Sequence, residues 1–205
     1  MSPAPHYLID AHHRLQAGPP AAPVDHTLRT PNLSGALAPR AIVLHYTGGG
    51  SALGSARWLC DRKARASAHL VIERDGRIWQ LAPCNVKTWH AGKSTYQQWS
   101  MLNDYAIGIE MANYGWDTRK AQPGTPTLHL PHRLERTVRA WEVYPAAQVA
   151  AVAAVCAAIR QRYPSVQPII GHDDIAPKRK RDPGPAWDWP AFRAALAAYP
   201  GVHHD

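Results

Sequence analysis

The chain has 205 residues, 45% of them hydrophobic, so it is long enough for one well-buried core and too short for two ordinary domains. Its 23 Lys and Arg against 15 Asp and Glu give a formal charge of +8, which favours contact with polyanions such as nucleic acid, anionic lipid or wall polymers. No stretch is apolar for long enough to span a bilayer, and no signal-peptide pattern is visible at the start, so we expect neither a membrane span nor a Sec signal.

A nucleic-acid-binding protein would explain the positive charge, but the usual motifs of that class are missing. The basic residues are scattered apart from the run at 178–181, and no helix-turn-helix, RNA-recognition or zinc-finger pattern accompanies them. We therefore expect no nucleic-acid partner. Positive charge would equally suit contact with another kind of anionic polymer.

The first predicted elements are an N-terminal arm and a buried strand. Residues 1–40 are rich in Pro, His and Ala, which predicts an extended arm laid over the domain rather than core. The first strong strand signal covers 41–47, an apolar run that three glycines end. This pattern places His45 at the end of a buried strand, beside a flexible loop.

The middle of the chain predicts a helix, a hairpin and a second buried strand. The helix covers 55–65, and the hairpin pairs 67–73 with 77–81 through an Asp-Gly turn. The second buried strand covers 105–111 and carries Glu110 in an otherwise apolar run. A carboxylate in that position needs a partner or a function.

The last third predicts an irregular insertion at 115–143, an Ala-rich helix at 144–163, a short strand at 168–172 and a final helix at 189–198 capped by Asp188. Strands and helices are therefore interspersed along the chain. This order predicts an α/β domain over 41–200, with a mixed central β-sheet flanked by helices.

The three cysteines, Cys60, Cys84 and Cys156, are odd in number and widely spaced. They are predicted to be buried thiols rather than a disulfide framework. A thiol nucleophile has no support from the pattern.

A set of metal ligands can be drawn from the strand ends. Zinc hydrolases usually use three protein ligands and leave a fourth position for water. His45 ends the first strand, His172 ends the last, and Asp182 follows ten residues later in a proline-stiffened loop. Such a loop could return Asp182 to a metal held by His172. Taken singly, a histidine at a strand end or an Asp before proline is more often structural.

Two further residues suit the chemistry of such a site. Lys180 lies two residues before Asp182, so in an extended stretch both side chains fall on one side, where a cation could stabilise an oxyanion. Glu110 is a candidate general base or acid, because burial raises the pKa of a carboxyl group. The alternative for Lys180 is an ordinary solvated charge.

Five segments together resemble the type 2 N-acetylmuramoyl-L-alanine amidases, which are relatives of the peptidoglycan recognition proteins. They cover 41–49, 67–83, 89–92, 102–110 and 171–189. The resemblance implies a mixed central sheet with helices around it and a zinc groove at one sheet edge.

The resemblance also implies roles for individual residues. It places one zinc ion per chain on His45, His172 and Asp182, and the catalytic pair on Glu110 and Lys180. It therefore agrees with the roles argued from the residues.

Four more residues are candidate substrate contacts. Trp89 and His90 lie in a segment that borders the groove in this family, where an aromatic ring could stack on a sugar or peptide, or simply pack within a loop. His69 is predicted to shape the floor of the site, or to pair only within the sheet. Arg65 is placed to meet a stem-peptide carboxylate.

The resemblance implies zinc-dependent hydrolysis of the amide bond between the lactyl group of N-acetylmuramic acid and L-alanine. The alternative is a non-catalytic peptidoglycan-recognition module, but such modules typically lose metal ligands. The first motif and the insertion favour a wall-lytic setting over cytoplasmic recycling of anhydro-muropeptides. The location is then cytoplasmic, or at the wall after release by a phage-type or other non-Sec route. The oligomeric state is not predicted.

Overall fold

The computed structural model describes residues 6–121 and 123–199. The strands are β1 His6–Ile9, β2 Leu15–Gly18, β3 Val24–Asp25, β4 Leu33–Ala36, β5 Ala41–Tyr46, β6 Leu70–Ile72, β7 Ile78–Gln80, β8 Val86–Thr88, β9 Thr95–Tyr96, β10 Trp99–Ser100, β11 Ala106–Met111, β12 Thr127–Pro131, β13 Val138–Glu142 and β14 Ile169–Gly171. The α-helices are α1 Ala52–Leu59, α2 Ala146–Arg162, α3 His172–Ile175 and α4 Trp189–Ala197.

A six-stranded mixed sheet forms the centre of the molecule, with strand order β14-β5-β11-β6-β7-β3. β5, β11, β14 and β6 run parallel, and β7 returns antiparallel to β6. The apolar runs in β5 and β11 suit parallel strands that are covered on both faces. The predicted mixed sheet flanked by helices is thus confirmed.

The two faces of the sheet have different coverings. α2 packs with Leu44 and Ile109 in the main core, and α4 packs against α2. Successive side chains on a strand point to opposite faces, so His45 and Glu110 face away from α2. These two residues are direct neighbours in the register of β5 and β11. The sheet therefore presents both side chains on one face.

Local sequence explains where the helices begin. Ser51 accepts a hydrogen bond from the Gly54 amide and caps α1, which ends earlier than predicted, at Leu59. Asp188 accepts from the Ala191 amide at 2.9 Å, so the predicted cap of the final helix is confirmed. Within the described residues, none of the helices has both the length and the apolar character that a bilayer crossing requires.

The N-terminal segment differs from the predicted extended arm. β1 and β2 form an antiparallel hairpin that packs against α2, and β3 adds an edge strand to the central sheet. Tyr7 and Leu15 are buried in the main core. The reason is the alternation of buried and exposed residues along β1, which gives the hairpin one apolar face. The segment is therefore part of the core.

The insertion is also more regular than predicted. β12 and β13 form an antiparallel hairpin, and Trp141 on β13 is buried, with its indole N–H donating to the Leu130 carbonyl at 3.0 Å. The Arg74 guanidinium forms two hydrogen bonds with the buried Glu142 carboxylate, at 2.6 and 3.0 Å. The burial of Trp141 in the main core and the Arg74–Glu142 pair fix the hairpin to the body of the domain.

Replacing Leu15 with Ala tests whether the N-terminal hairpin is part of the cooperative core. We expect the free energy of unfolding to fall by about 2–5 kcal/mol, because the side chain is fully buried (0% exposed). Leu8→Ala is the matched control: Leu8 lies on β1 at 48% exposure, and its loss should change stability by less than about 0.5 kcal/mol. Urea unfolding measures both, and equal small effects would mean that the hairpin unfolds separately.

Candidate metal centre and groove

The strand order brings the predicted ligands to one edge of the sheet. β14 and β11 flank β5 in parallel, so their carboxyl ends lie together. His45 lies near the end of β5, and His172 follows β14 as the first residue of α3. The Asp173 amide donates to the Asp182 carbonyl at 2.9 Å, which returns the loop after α3 to this edge.

The three predicted ligands form a compact buried cluster. Nδ1 of His45 lies 2.9 Å from Nδ1 of His172, and Oδ2 of Asp182 lies 3.0 and 2.9 Å from these two nitrogens. The residues are 1%, 2% and 6% exposed. Imidazole nitrogen and carboxylate oxygen are common zinc donors, and three tetrahedral ligands at about 2.0–2.1 Å from zinc would lie about 3.3 Å apart. The cluster therefore fits a metal ion.

The protonation states of the cluster also suit metal binding. Burial lowers the pKa of His45 to about 4, and the neighbouring His172 adds to the effect, so the imidazole is neutral at pH 7. Burial alone would raise the pKa of Asp182, but the adjacent imidazole rings of His172 and His45 hold it well below its usual range. Metal ligands must be deprotonated, and His45 and Asp182 are.

Glu110 and Lys180 both line the groove above the cluster. Oε2 of Glu110 is buried and has no hydrogen-bond partner within the described residues. Burial and then the negative charge of Asp182 raise the pKa of Glu110 to about 8, while the positive charge of Lys180 opposes this. A carboxyl group with that pKa exchanges protons readily near neutral pH.

The groove is a cavity of about 650 Å³, and several of the residues that line it are not among those predicted from the sequence. α1 contributes Trp58, and the insertion contributes Trp116, Glu135 and Arg139. The Arg139 guanidinium lies 4.3 Å from the centre of the Trp116 ring. These residues lie outside the recognised segments, and an exposed aromatic residue in a helix or loop gives no sequence signal by itself.

A second cavity of about 380 Å³ shares Trp58 and Glu110 with the groove. It runs along the glycine-rich loop after β5 and the first turn of α1, where Ser51 and Ser55 offer hydroxyl groups. The groove therefore continues past Glu110 on the α1 side.

Two of the four predicted substrate contacts line the groove and two do not. Trp89 and His90 line it, and the Trp89 indole donates to Ser34 Oγ at 2.5 Å. His69 is fully buried and bonds to the Val86 carbonyl and the Gly108 amide, so it pairs within the sheet rather than forming the floor. Arg65 is exposed and does not line the cavity.

The cysteines lie outside the cluster. Burial raises the pKa of Cys84 and of Cys156 to about 12, whereas Cys60 is only half-buried. In a DTNB titration at pH 8 we expect one thiol to react quickly in the native protein and three after denaturation, because only the thiolate attacks. Cys60→Ser should abolish the fast phase. A fast phase that survives this change would contradict the burial of the other two.

Comparisons with known proteins match most of the chain to one family. The family model described as N-acetylmuramoyl-L-alanine amidase matches residues 35–185. The chain is similar to the 1,6-anhydro-N-acetylmuramyl-L-alanine amidase AmpD of Salmonella typhimurium, with 41% identity over 134 residues, or 65% of this chain and 58% of the relative. It thus spans less than two thirds of the length of that curated relative.

Solved structures show the same fold. The crystal structure of a Se-Met AmpD derivative has a TM-score of 0.60 and 31% identity, covering 84% of this chain and 94% of that one. The complex of the Escherichia coli amidase AmiD with anhydro-N-acetylmuramic acid-L-Ala-D-gamma-Glu-L-Lys has a TM-score of 0.62 and 26% identity, covering 92% and 65%.

Proposed function

The chain belongs to the N-acetylmuramoyl-L-alanine amidase family, and from this we propose that it hydrolyses the amide bond between the lactyl group of N-acetylmuramic acid and L-alanine in peptidoglycan fragments. The observation that carries the proposal is the buried cluster of His45, His172 and Asp182 in a groove that also holds Glu110 and Lys180. A recognition module would not need this combination of metal donors and proton-transfer group.

The family is zinc-dependent, and His45, His172 and Asp182 would hold the ion. When bound, zinc supplies a Lewis acid that polarises the scissile carbonyl and acidifies water. The chain's own contribution is a buried donor set at one edge of the central sheet.

Glu110 is placed to move the proton. As a carboxylate it accepts a proton from the attacking water, and as a carboxylic acid it returns that proton to the leaving nitrogen of L-alanine, so the group ends as it began. Its raised pKa makes both forms accessible near neutral pH. The ammonium group of Lys180, on the same groove, stabilises the oxyanion that develops on the lactyl carbonyl.

We propose that soluble anhydro-muropeptides are the preferred substrates. The first motif and the insertion favour wall lysis, but the similarity to amidases named for 1,6-anhydro-N-acetylmuramyl-L-alanine supports the smaller fragment. The AmiD structure with an anhydro-muropeptide, similar over 92% of this chain, supports the same choice. Trp58 and Trp116 flank the groove and offer ring faces to a sugar or peptide.

The test is to incubate the protein with a soluble anhydro-muropeptide and with intact sacculi, in the presence of chelator and after zinc is restored. Mass spectrometry should detect free stem peptides that begin with L-alanine, lost with chelator and regained with zinc. Faster release from the soluble fragment would support the recycling substrate. No cleavage of either substrate by protein that binds one zinc ion would leave the recognition module as the better function.

A further inference from the structure

Residues 89–92 contact both histidines of the metal cluster, on the sides of the rings that face away from it. Nε2 of His45 lies 3.0 Å from Nδ1 of His90, and Nε2 of His172 lies 3.1 Å from the carbonyl oxygen of Ala91. Two consecutive residues of this segment thus engage the outer nitrogens of two ligands that are 127 residues apart.

The contacts of His90 determine which nitrogen of His45 carries the proton. Nε2 of His90 lies 3.1 Å from the Ala106 carbonyl oxygen, which can only accept, so this nitrogen carries the ring proton. With the ring proton on Nε2, Nδ1 of His90 is the acceptor that faces His45. His45 must then donate from Nε2. In a neutral ring that leaves a lone pair on Nδ1, the atom in the cluster.

His172 follows the same logic with a backbone partner. The Ala91 carbonyl oxygen can only accept, so Nε2 of His172 carries the proton and Nδ1 keeps a lone pair. Both rings therefore present a lone pair to the cluster, the form that binds a metal. A hydrogen bond on the outer nitrogen also fixes the orientation of each ring.

The segment itself is held by groups outside the cluster. Oδ1 of Asn103 accepts from the amides of His90 and Ala91 at 3.1 and 2.8 Å, and the Arg179 guanidinium donates to the Ala91 carbonyl at 2.7 Å. Gly108 makes room for the His90 ring, because a Cβ there would lie 2.4 Å from Cγ of His90. The acceptors for His45 and His172 are thus rigid.

We propose that His90 and Ala91 set the tautomer and orientation of His45 and His172, and that His90 and Asn103 are positioning residues for zinc rather than substrate contacts. The proposal rests on the metal centre of the proposed function. The proposal accounts for the position of His90 at the groove. Both of its ring nitrogens are engaged, one by the metal ligand His45 and one by the Ala106 carbonyl oxygen.

The test compares His90→Leu with His90→Asn in a zinc competition against a chromogenic chelator. The Asn Oδ1 atom replaces Nδ1 of histidine as an acceptor for His45, whereas Leu offers none. Both variants lose the hydrogen bond from Nε2 of His90 to the Ala106 carbonyl oxygen, so the loss of stability that this causes is common to both. We expect His90→Leu to weaken zinc binding by about 10–100-fold, and His90→Asn to stay within about threefold of wild type.

Two variants at Asn103 provide an independent test in case the His90 variants fold poorly. Asn103→Asp keeps the acceptor for both amides, and Asn103→Ala removes it. Zinc binding should weaken by about three- to tenfold in Asn103→Ala and remain near wild type in Asn103→Asp, since the effect is transmitted through the backbone.

Equal zinc affinity for all variants, with a raised KM in His90→Leu, would overturn the proposal and make His90 a substrate contact. Zinc binding that weakens equally in His90→Leu and His90→Asn, in proportion to their losses of unfolding free energy, would overturn it in favour of a purely structural role. The binding measurement needs no turnover. Wild-type protein that binds zinc without cleaving muropeptides would therefore refute the amidase function alone.

Discussion

Replacing Glu110 with Gln should lower kcat by roughly 10²–10⁴-fold while zinc affinity stays near wild type. The amide has almost the same shape but cannot accept a proton from water. Its fold should be kept, because Oε2 has no hydrogen-bond partner within the described residues that the change would break. Steady-state kinetics on a soluble anhydro-muropeptide, with zinc content measured in parallel, provide the test. KM should change by less than about threefold, since the loss arises in the transition state.

Glu135→Gln is the matched control for this experiment. Glu135 also lines the groove, but its carboxylate is paired with the Arg181 guanidinium at 2.6 Å and with Arg139. We expect its kcat to stay within about fivefold of wild type, because a paired surface carboxylate is not suited to proton transfer. If Glu110→Gln retained more than a tenth of the activity, another group would have to move the proton.

Replacing Asp182 with Ala should abolish both zinc binding and hydrolysis. Asp182 supplies the carboxylate of the cluster, and its Oδ2 lies within 3.0 Å of both imidazole Nδ1 atoms. Loss of a direct ligand should weaken zinc binding by more than the roughly 10–100-fold that outer hydrogen-bond partners contribute. Competition with a chelator measures the affinity, and mass spectrometry of the reaction mixture measures cleavage.

Asp174→Ala is the control on the same segment. Asp174 accepts from the Gly171 amide at 2.7 Å and from the Arg133 guanidinium, but it contributes no atom to the cluster. We expect a modest loss of stability, because helix-terminal contacts of this kind contribute about 0.5–2 kcal/mol. Zinc affinity should stay within about threefold of wild type. Zinc binding that survived Asp182→Ala would mean that His45 and His172 bind the ion with a different third ligand.

The central strands and their ends could be predicted from the sequence because their signals are local. An unbroken apolar run that contains one carboxylate predicts a buried strand with an unusual residue, and Glu110 lies on β11 as expected. Parallel strands place their carboxyl ends at one edge, which is why His45 and His172 meet although they are far apart in the chain.

The N-terminal hairpin and the floor of the site could not be predicted in the same way, because their partners are distant. The Leu15 amide donates to the buried Gln80 side chain, 65 residues away, and nothing near Leu15 indicates that contact. The sequence leaves His69 either at the floor of the site or paired within the sheet, and only the distant strands β8 and β11, which fill its hydrogen bonds, decide between the two.

Because β5 and β11 each carry one residue of the site, enzymatic activity reports whether these two strands have paired in the correct register. His45 and Glu110 occupy the same level of two adjacent strands, and a slip of one residue would turn one of them to the α2 side of the sheet. A partly folded or misregistered population would then contain every functional residue and yet be inactive. In refolding experiments, the recovered specific activity should therefore count molecules with the correct strand register, which spectroscopic measures of secondary structure cannot distinguish.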